Sequence, residues 1–481
     1  MTGALQMLSG QVPYRHFWYD KPPLTPLFYL LCSALPGWPL RLLGAAFAIA
    51  CCYFAYRFAR DLWDETAGLW AAALLAFFLT FDHHSATIAI APDVFLLLPH
   101  LAAVWLAHRN RPLLSGLVLA LGIAANVKAI FLLPVCLLFS LAAARRTSIN
   151  PTPNPAANTP PPTTTAATTV TPTATTANAI APATATDPTK ATAIPTVLTA
   201  NATAPPSPRP HPGRPIAVLL GLAPAALLLL SPDFREQVLA WGTLYSADTF
   251  LTTPLQTGLT RTLAWCGFHI ALLAAAIKAK PSYQWLVWIA LMLVTTTLGL
   301  RFSPRYYFAL LPPLVLLAAR GLSLTSTNTN TKLLAAALLL IPLIRFGPRY
   351  AQLATGQPWT DLALYQDAQA TVAQMPNAKS VFVWGYRPEI NVLSRAPSLD
   401  FYLESQPLTG VFADRHLTNA RRSARPKPMP LPLRSQYVVD GLGPLNPQLA
   451  IPALSLAGYQ IAGRTKTTVI YRELSSRPAQ E

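Results

Sequence analysis

Charge is what this chain has least of. Asp, Glu, Lys and Arg make up 11% of its 481 residues, only 19 of them acidic, while 52% are hydrophobic. A soluble domain usually carries about a quarter charged residues. An ordinary globular enzyme is therefore excluded, and an integral membrane protein is indicated. Cysteine is sparse too. Cys32, Cys51, Cys52, Cys136 and Cys266 sit in or beside apolar segments without metal-type spacing, so they are expected to be small core residues and say little about redox compartment. No cleavable leader is expected, because Met1 to Tyr14 lacks both a basic start and an adequate apolar core. The net charge of +17 does not imply nucleic acid. Its basic residues form no patch with stacking aromatics, and most fall in short loops between apolar segments, where they orient helices in a bilayer.

What is present is a series of apolar stretches. A bilayer core of about 30 Å needs about 20 apolar residues, fewer where short helices pack inside a bundle. Spans are expected near Leu40–Phe58, Ala67–Phe81, Asp93–Ala107, Leu113–Ala125, Ala129–Ala144, Ile216–Leu230, Thr262–Ile277, Gln284–Leu300, Tyr306–Ala319 and Leu333–Ile344, with a shorter apolar helix at Leu24–Leu35. Alternate loops carry Arg57 and Arg60, Arg109 and Arg111, Arg145 and Arg146, Lys278 and Lys280, and Arg320 and Lys332. Positive loops face the cytoplasm. The other loops are then extracytoplasmic, and they hold Asp20-Lys21, Asp82 to Asp93, Asn126 and Lys128, Ser231 to Arg261, and Arg301 to Arg305.

The expected organisation is an all-α polytopic membrane protein of about ten transmembrane helices with a small C-terminal α/β domain outside. Residues 1–146 form the N-terminal transmembrane region and first outer loop. Residues 147–213, almost wholly Pro, Thr, Ala and Asn, cannot bury a core and read as a disordered cytoplasmic linker. Residues 214–346 form the C-terminal transmembrane region, and 347–481 the outer domain, with a helix at Leu362–Met375 and strands at Ser380–Trp384, Gln436–Asp440 and Thr467–Glu473.

Polar clusters at the outer ends each carry two readings. Asp20-Lys21-Pro22-Pro23 starts a helix at the membrane surface, either as an interfacial anchor with Trp18 and Tyr19 or as a ligand site. Asp93, in IAIAPDVFLLL, is either a helix-start acid favoured by the dipole or a site carboxylate. Asp82, His83 and His84 are either solvated or candidates to hold a divalent cation or a phosphate. Lys128 lies between two apolar segments and either snorkels outward or is functional. Arg301, Arg305 and Tyr306, in LRFSPRYYFALLPP, put two arginines on the side opposite to the positive-inside preference, which calls for an anionic partner; arginine forks suit phosphate oxygens. Taken together, acids able to act as bases beside cations able to neutralise a phosphate leaving group suit transfer from a phosphate-linked, membrane-resident donor.

ALQMLSGQVPYRHFWYDKPPL resembles the first outer loop of the GT-C membrane glycosyltransferases, the protein mannosyltransferase and aminoarabinose transferase group. APDVFLLL, GLVLALGIAANVKAIFLLP, RFSPRYYFALLPPLVLLAARG and the tail segment VFVWGYRPEI are similar to later segments of that family, in the same order. The resemblance implies a GT-C-like fold and an enzyme of a bacterial inner membrane and cell envelope. Such an enzyme moves a sugar from a polyprenyl-phosphate donor to an acceptor outside the cytoplasm (protein, lipid or polysaccharide), with its site facing the periplasm. Carried onto this chain, the catalytic carboxylates are Asp20 and Asp93. Lys21, Lys128, Arg301, Arg305 and Tyr306 would bind the donor phosphate, and Asp82 and His83 would meet a divalent metal ion if one is used. Relatives carry a further span and an acidic residue before this segment, whereas this sequence begins inside the loop. It is thus expected to be N-terminally truncated, with an inactive homologue as one alternative and a transporter or flippase of a lipid-linked intermediate as another. No internal repeat of the transporter kind is evident.

Overall fold

The computed structural model describes residues 1–82, 93–149, 213–248, 253–324, 329–355, 362–412, 422, 424–429 and 431–474. Two compact units emerge, Met1–Ala143 with Pro212–Glu481, and Ala144–His211. Nearly all of the second coincides with the expected linker and lies outside the described residues, as do His83 and His84.

In the first unit the chain runs through α1 (Thr2–Leu8), α2 (Leu24–Leu30), α3 (Trp38–Leu62), α4 (Glu65–Thr80), α5 (Leu97–His108), α6 (Pro112–Ala125), a 3₁₀ turn over Val127–Leu132 and α7 (Leu133–Ile149). After the linker come α8 (Gly213–Leu230), α9 (Pro232–Phe234), a π-helical turn over Arg235–Ala240, α10 (Trp241–Ala247), α11 (Pro254–Phe268), α12 (Ile270–Lys278), α13 (Tyr283–Thr297), a 3₁₀ segment over Pro304–Leu310, α14 (Leu311–Leu324) and α15 (Thr329–Ala354). Every expected span falls on these helices, but the count of ten crossings is not reproduced. By length and apolar composition five described helices can cross a bilayer, or six if α11 and α12, bent by 73°, count as one. For three of the helices the reason is length. At 1.5 Å per residue the 14 residues of α6 reach only about 21 Å, and α4 and α5 are likewise apolar but short. A second difference is local: α5 begins at Leu97, so Asp93 stands in the turn before the helix rather than in its first turn.

The charged loops nevertheless sort into two groups. The loops expected inside meet one another, with Arg109 3.5 Å from Asp61 and Arg320 3.0 Å from Asp64, while Arg60 lies 3.9 Å from Glu65 across its own loop. The loops expected outside gather around the cluster described below. Short residues let the helices approach. A Cβ on Gly116 of α6 would lie 2.0 Å from the Val218 carbonyl oxygen of α8, and one on Gly221 of α8 would lie 2.1 Å from that of Leu113. Small-residue contacts of this kind drive helix association in lipid.

The C-terminal sheet has the order β1-β2-β4-β3, with β1 (Val381–Trp384) parallel to β2 (Tyr437–Asp440), and β3 (Tyr459–Arg464) and β4 (Val469–Glu473) completing it in antiparallel fashion. Both parallel strands are buried throughout, which is why they read as apolar runs. β3 was not expected: it is a largely exposed edge strand, bulged near Gly463, without an apolar pattern. Alternate side chains feed two cores. Val381 and Val383 join Ala368 and Met375, on the side of α16 (Leu362–Ala373). Phe382 and Trp384 join Phe412, Tyr402, Trp241 of α10 and Trp18 of the first loop. The sheet domain therefore takes part of its interior from the membrane region, and α15 runs without a break through the expected boundary near residue 346.

Candidate active site

The first loop is clamped from several directions. The Tyr14 hydroxyl donates to the Lys21 carbonyl at 2.6 Å, and the Trp18 amide donates to the Phe401 carbonyl at 2.6 Å. Gln237, buried on the π-helical turn, grips the loop twice: its Nε2 donates to the Tyr14 carbonyl at 2.8 Å, and its Oε1 accepts from the Tyr19 amide at 2.9 Å. π-Helical turns are rare and frequent at functional sites. The loop ends at Pro22-Pro23 before α2, so Asp20 and Lys21 sit at a fixed helix entrance. There Lys21 Nζ lies 2.5 Å from Asp20 Oδ2, both side chains partly exposed.

Gln237→Ala strips partners from two backbone groups in this loop. Each unsatisfied buried group costs about 1–3 kcal/mol, so loss of loop geometry and roughly a tenfold or larger fall in transfer rate are expected. Comparing initial rates and thermal unfolding of the two proteins checks this; an unchanged rate would mean the clamp does not matter.

A second cluster forms where three outer loops meet. Asp93 lies 3.5 Å from Lys128 Nζ through Oδ1 and 3.5 Å from Arg305 Nε through Oδ2. Lys128 Nζ also sits 3.7 Å from the centre of the Tyr306 ring, a cation–π contact. Asn126 caps the 3₁₀ turn that carries Lys128, accepting from its amide at 3.1 Å. One carboxylate thus holds two cations and an aromatic face together, and the Arg305 side chain remains 46% exposed.

Tyr245, on α10, acts electrostatically on both Arg305 and Tyr386. Arg301 is placed differently from expectation. It is buried, stacks 3.7 Å over the Tyr245 ring, and donates from Nη2 to the carbonyls of Tyr245 at 2.8 Å and Asp248 at 2.9 Å. Its own carbonyl accepts from Arg261 at 2.8 Å. In this arrangement it shapes the Tyr245 turn. Asp82 pairs elsewhere: its Oδ2 is 3.2 Å from His269 Nε2, and it lines a pocket with Arg261, Pro304 and Tyr307. Its expected companion His83 is outside the described residues. Among the described residues no three His, Cys, Asp or Glu side chains converge as a metal-binding group.

Sequence reasoning missed Gln237, Tyr245 and Tyr386. Tyr386 stands inside VFVWGYRPEI, a segment singled out for its resemblance to relatives. The others carry no sequence signal beyond being polar.

Residues 20–157 match the family of dolichyl-phosphate-mannose-protein mannosyltransferases. The resemblance read from the motifs is thereby supported over the stretch that holds Asp20, Lys21, Asp93 and Lys128, and the match supports a membrane glycosyltransferase. No curated protein matches the chain in sequence. Among solved structures the chain is similar to an oligosaccharyltransferase of Archaeoglobus fulgidus at 12% identity and a TM-score of 0.41, covering 95% of this chain and 66% of that one. At that distance the likeness carries nothing about this chain's chemistry.

Proposed function

We propose that the chain transfers a glycosyl group from a polyprenyl-phosphate-linked sugar to a hydroxyl-bearing acceptor on the outer face of a bacterial inner membrane. The observation that carries this reading is the convergence of Asp93, Lys128, Arg305 and Tyr306 from three separate loops. The family match over residues 20–157 supports it.

In this reaction the acceptor oxygen forms a bond to the anomeric carbon while the bond from that carbon to the phosphate oxygen breaks. The bonding pair leaves with the lipid phosphate, where Lys21, Lys128 and the Arg305 fork neutralise the growing charge. The acceptor proton passes to a carboxylate of the site, for which Asp20 is placed at the entrance. Exposed apolar side chains such as Leu219, Leu229 and Ile130 border a groove of about 440 Å³ between the Lys128 turn and α8, large enough to take part of a polyprenyl tail.

Asp20→Asn tests the assignment. A general acid–base group contributes about 10²–10⁴-fold, so transfer from lipid-phosphate sugar in membranes holding the variant is expected to fall by at least about 100-fold. Wild-type turnover would remove Asp20 from the chemistry.

A further inference from the structure

Between the 3₁₀ segment Pro304–Leu310, α11 and α15 lies a cavity of about 150 Å³ that glycosyl transfer leaves unused. The segment borders two places at once. Arg305 and Tyr306 reach the Asp93 cluster, whereas Pro304 and Tyr307 line this cavity. Its walls are braced by rings. Trp265 stacks on Tyr307 at 5.3 Å and on His269 at 4.1 Å, centroid to centroid, and the Tyr307 and Thr262 hydroxyls share a hydrogen bond at 2.7 Å. Phe268 meets Phe346 edge to face at 5.7 Å, which joins α11 to α15.

The charged side chains that line the cavity are Asp82, Arg261 and Arg345. Asp82 is matched by His269, which is wholly buried at the bend between α11 and α12. His269 Nδ1 lies 2.9 Å from the Trp265 carbonyl, which can only accept, so Nδ1 carries a hydrogen. Nε2 lies 3.2 Å from Asp82 Oδ2. A neutral imidazole has one N–H, so a hydrogen bond there requires a second proton, held by the ring or by the carboxyl. In either form the pair is neutral. The two guanidiniums remain. Arg261 donates from Nη1 to the Arg301 and Phe302 carbonyls at 2.8 and 3.5 Å, and Arg345 lies over the Phe346 ring at 5.8 Å. Neither pairs with a carboxylate among the described residues.

We propose that this cavity binds the phosphate headgroup of an anionic phospholipid, at a site separate from the donor's. The Arg261 and Arg345 forks suit phosphate oxygens. Leu263 and Ile344, next to Ala264 and Arg345 of the lining, are exposed, which gives the acyl chains an apolar surface to lie on. A soluble anion would leave that surface bare to water. Phosphatidylcholine carries the same phosphodiester beside a quaternary ammonium, which the two guanidiniums repel.

The experiment adds phosphatidylglycerol, phosphatidylcholine or inorganic phosphate to the full chain in detergent and reads native mass spectra and unfolding temperature. Wild type should retain phosphatidylglycerol in preference to phosphatidylcholine and unfold at a higher temperature with it, while inorganic phosphate gives no such shift. R345Q removes one fork without touching the carbonyl contacts of Arg261. It should weaken phosphatidylglycerol binding by roughly tenfold or more, the loss of a charge-assisted hydrogen bond. R235Q takes the same charge from an exposed position on the π-helical turn and should bind like wild type. A264L keeps both arginines but narrows the cavity, and should also lose the lipid. Unfolding without lipid identifies any variant that fails to fold; if R345Q fails, A264L decides. Wild-type binding in R345Q or in A264L overturns the inference, as does equal loss in R345Q and R235Q. Equal retention of phosphatidylcholine, or equal protection by inorganic phosphate, overturns it as well.

Discussion

Arg305→Ala should lower glycosyl transfer by about 10²–10³-fold, the usual cost of removing one preorganised donor from a site of developing negative charge. The expectation follows from how Arg305 is held. Its Nε lies 3.5 Å from Asp93 Oδ2, which orients the guanidinium, yet nearly half of the side chain stays exposed. Asp93 keeps Lys128 at 3.5 Å when the arginine is gone, so the carboxylate is not stranded and the fold should survive. Loss of function without loss of fold is the signature to look for. Arg305→Lys sharpens the test: it restores a point charge but not a planar fork with parallel N–H donors, and should recover only part of the rate. Initial rates with lipid-phosphate sugar, set beside thermal unfolding, decide the matter. An alanine variant that turns over like wild type would show that no phosphate reaches Arg305.

The largest effect on stability is expected at the α6–α8 contact. The would-be Cβ atoms of Gly116 and Gly221 meet backbone carbonyl oxygens at 2.0 and 2.1 Å, and each would also lie within about 3 Å of the other glycine's Cα. Backbone cannot rotate away as a side chain can, so the helices must part. Each alanine should cost roughly 1–3 kcal/mol, and the pair more than either alone because both open the same seam. Gly242 of α10 is the control. Nothing lies within 4 Å of its added Cβ, and alanine there should be neutral or stabilising by up to about 1 kcal/mol. Monodisperse yield in detergent and unfolding temperature measure all four proteins. Wild-type stability in the double alanine variant would mean the helices are not packed this closely.

The membrane half was largely readable beforehand because charge there is scarce and conspicuous. Asp93, Lys128 and Arg305 interrupt apolar sequence, where an ionised group is costly unless partnered, and they prove to be one another's partners. Among the basic residues of alternate loops, Arg109, Arg320 and Arg60 are found against Asp61, Asp64 and Glu65, partners the sequence reading did not single out. Arg301 looked the same in sequence as Arg305; only the fold brings the Tyr245 and Asp248 carbonyls to Arg301 and leaves the Arg305 side chain half exposed beside Asp93. The count of ten crossings is not confirmed, because apolar composition signals burial among helices as well as contact with lipid, and α4, α5 and α6 are too short to separate the two. Gln237 stayed hidden for the opposite reason. In stretches where polar residues are ordinary, an amide acquires meaning only from what another part of the chain brings against it.

The shared interior around Trp18 bears on how such proteins diversify. An indole from the first loop and another from α10 fill the core beside Phe382 and Phe412, so the tail is not a detachable module. Grafting a different tail onto this membrane region, as one would try in order to redirect it to a new acceptor, succeeds only if the graft brings a socket shaped for those two tryptophans. Selection acting on one partner is thereby felt by the other.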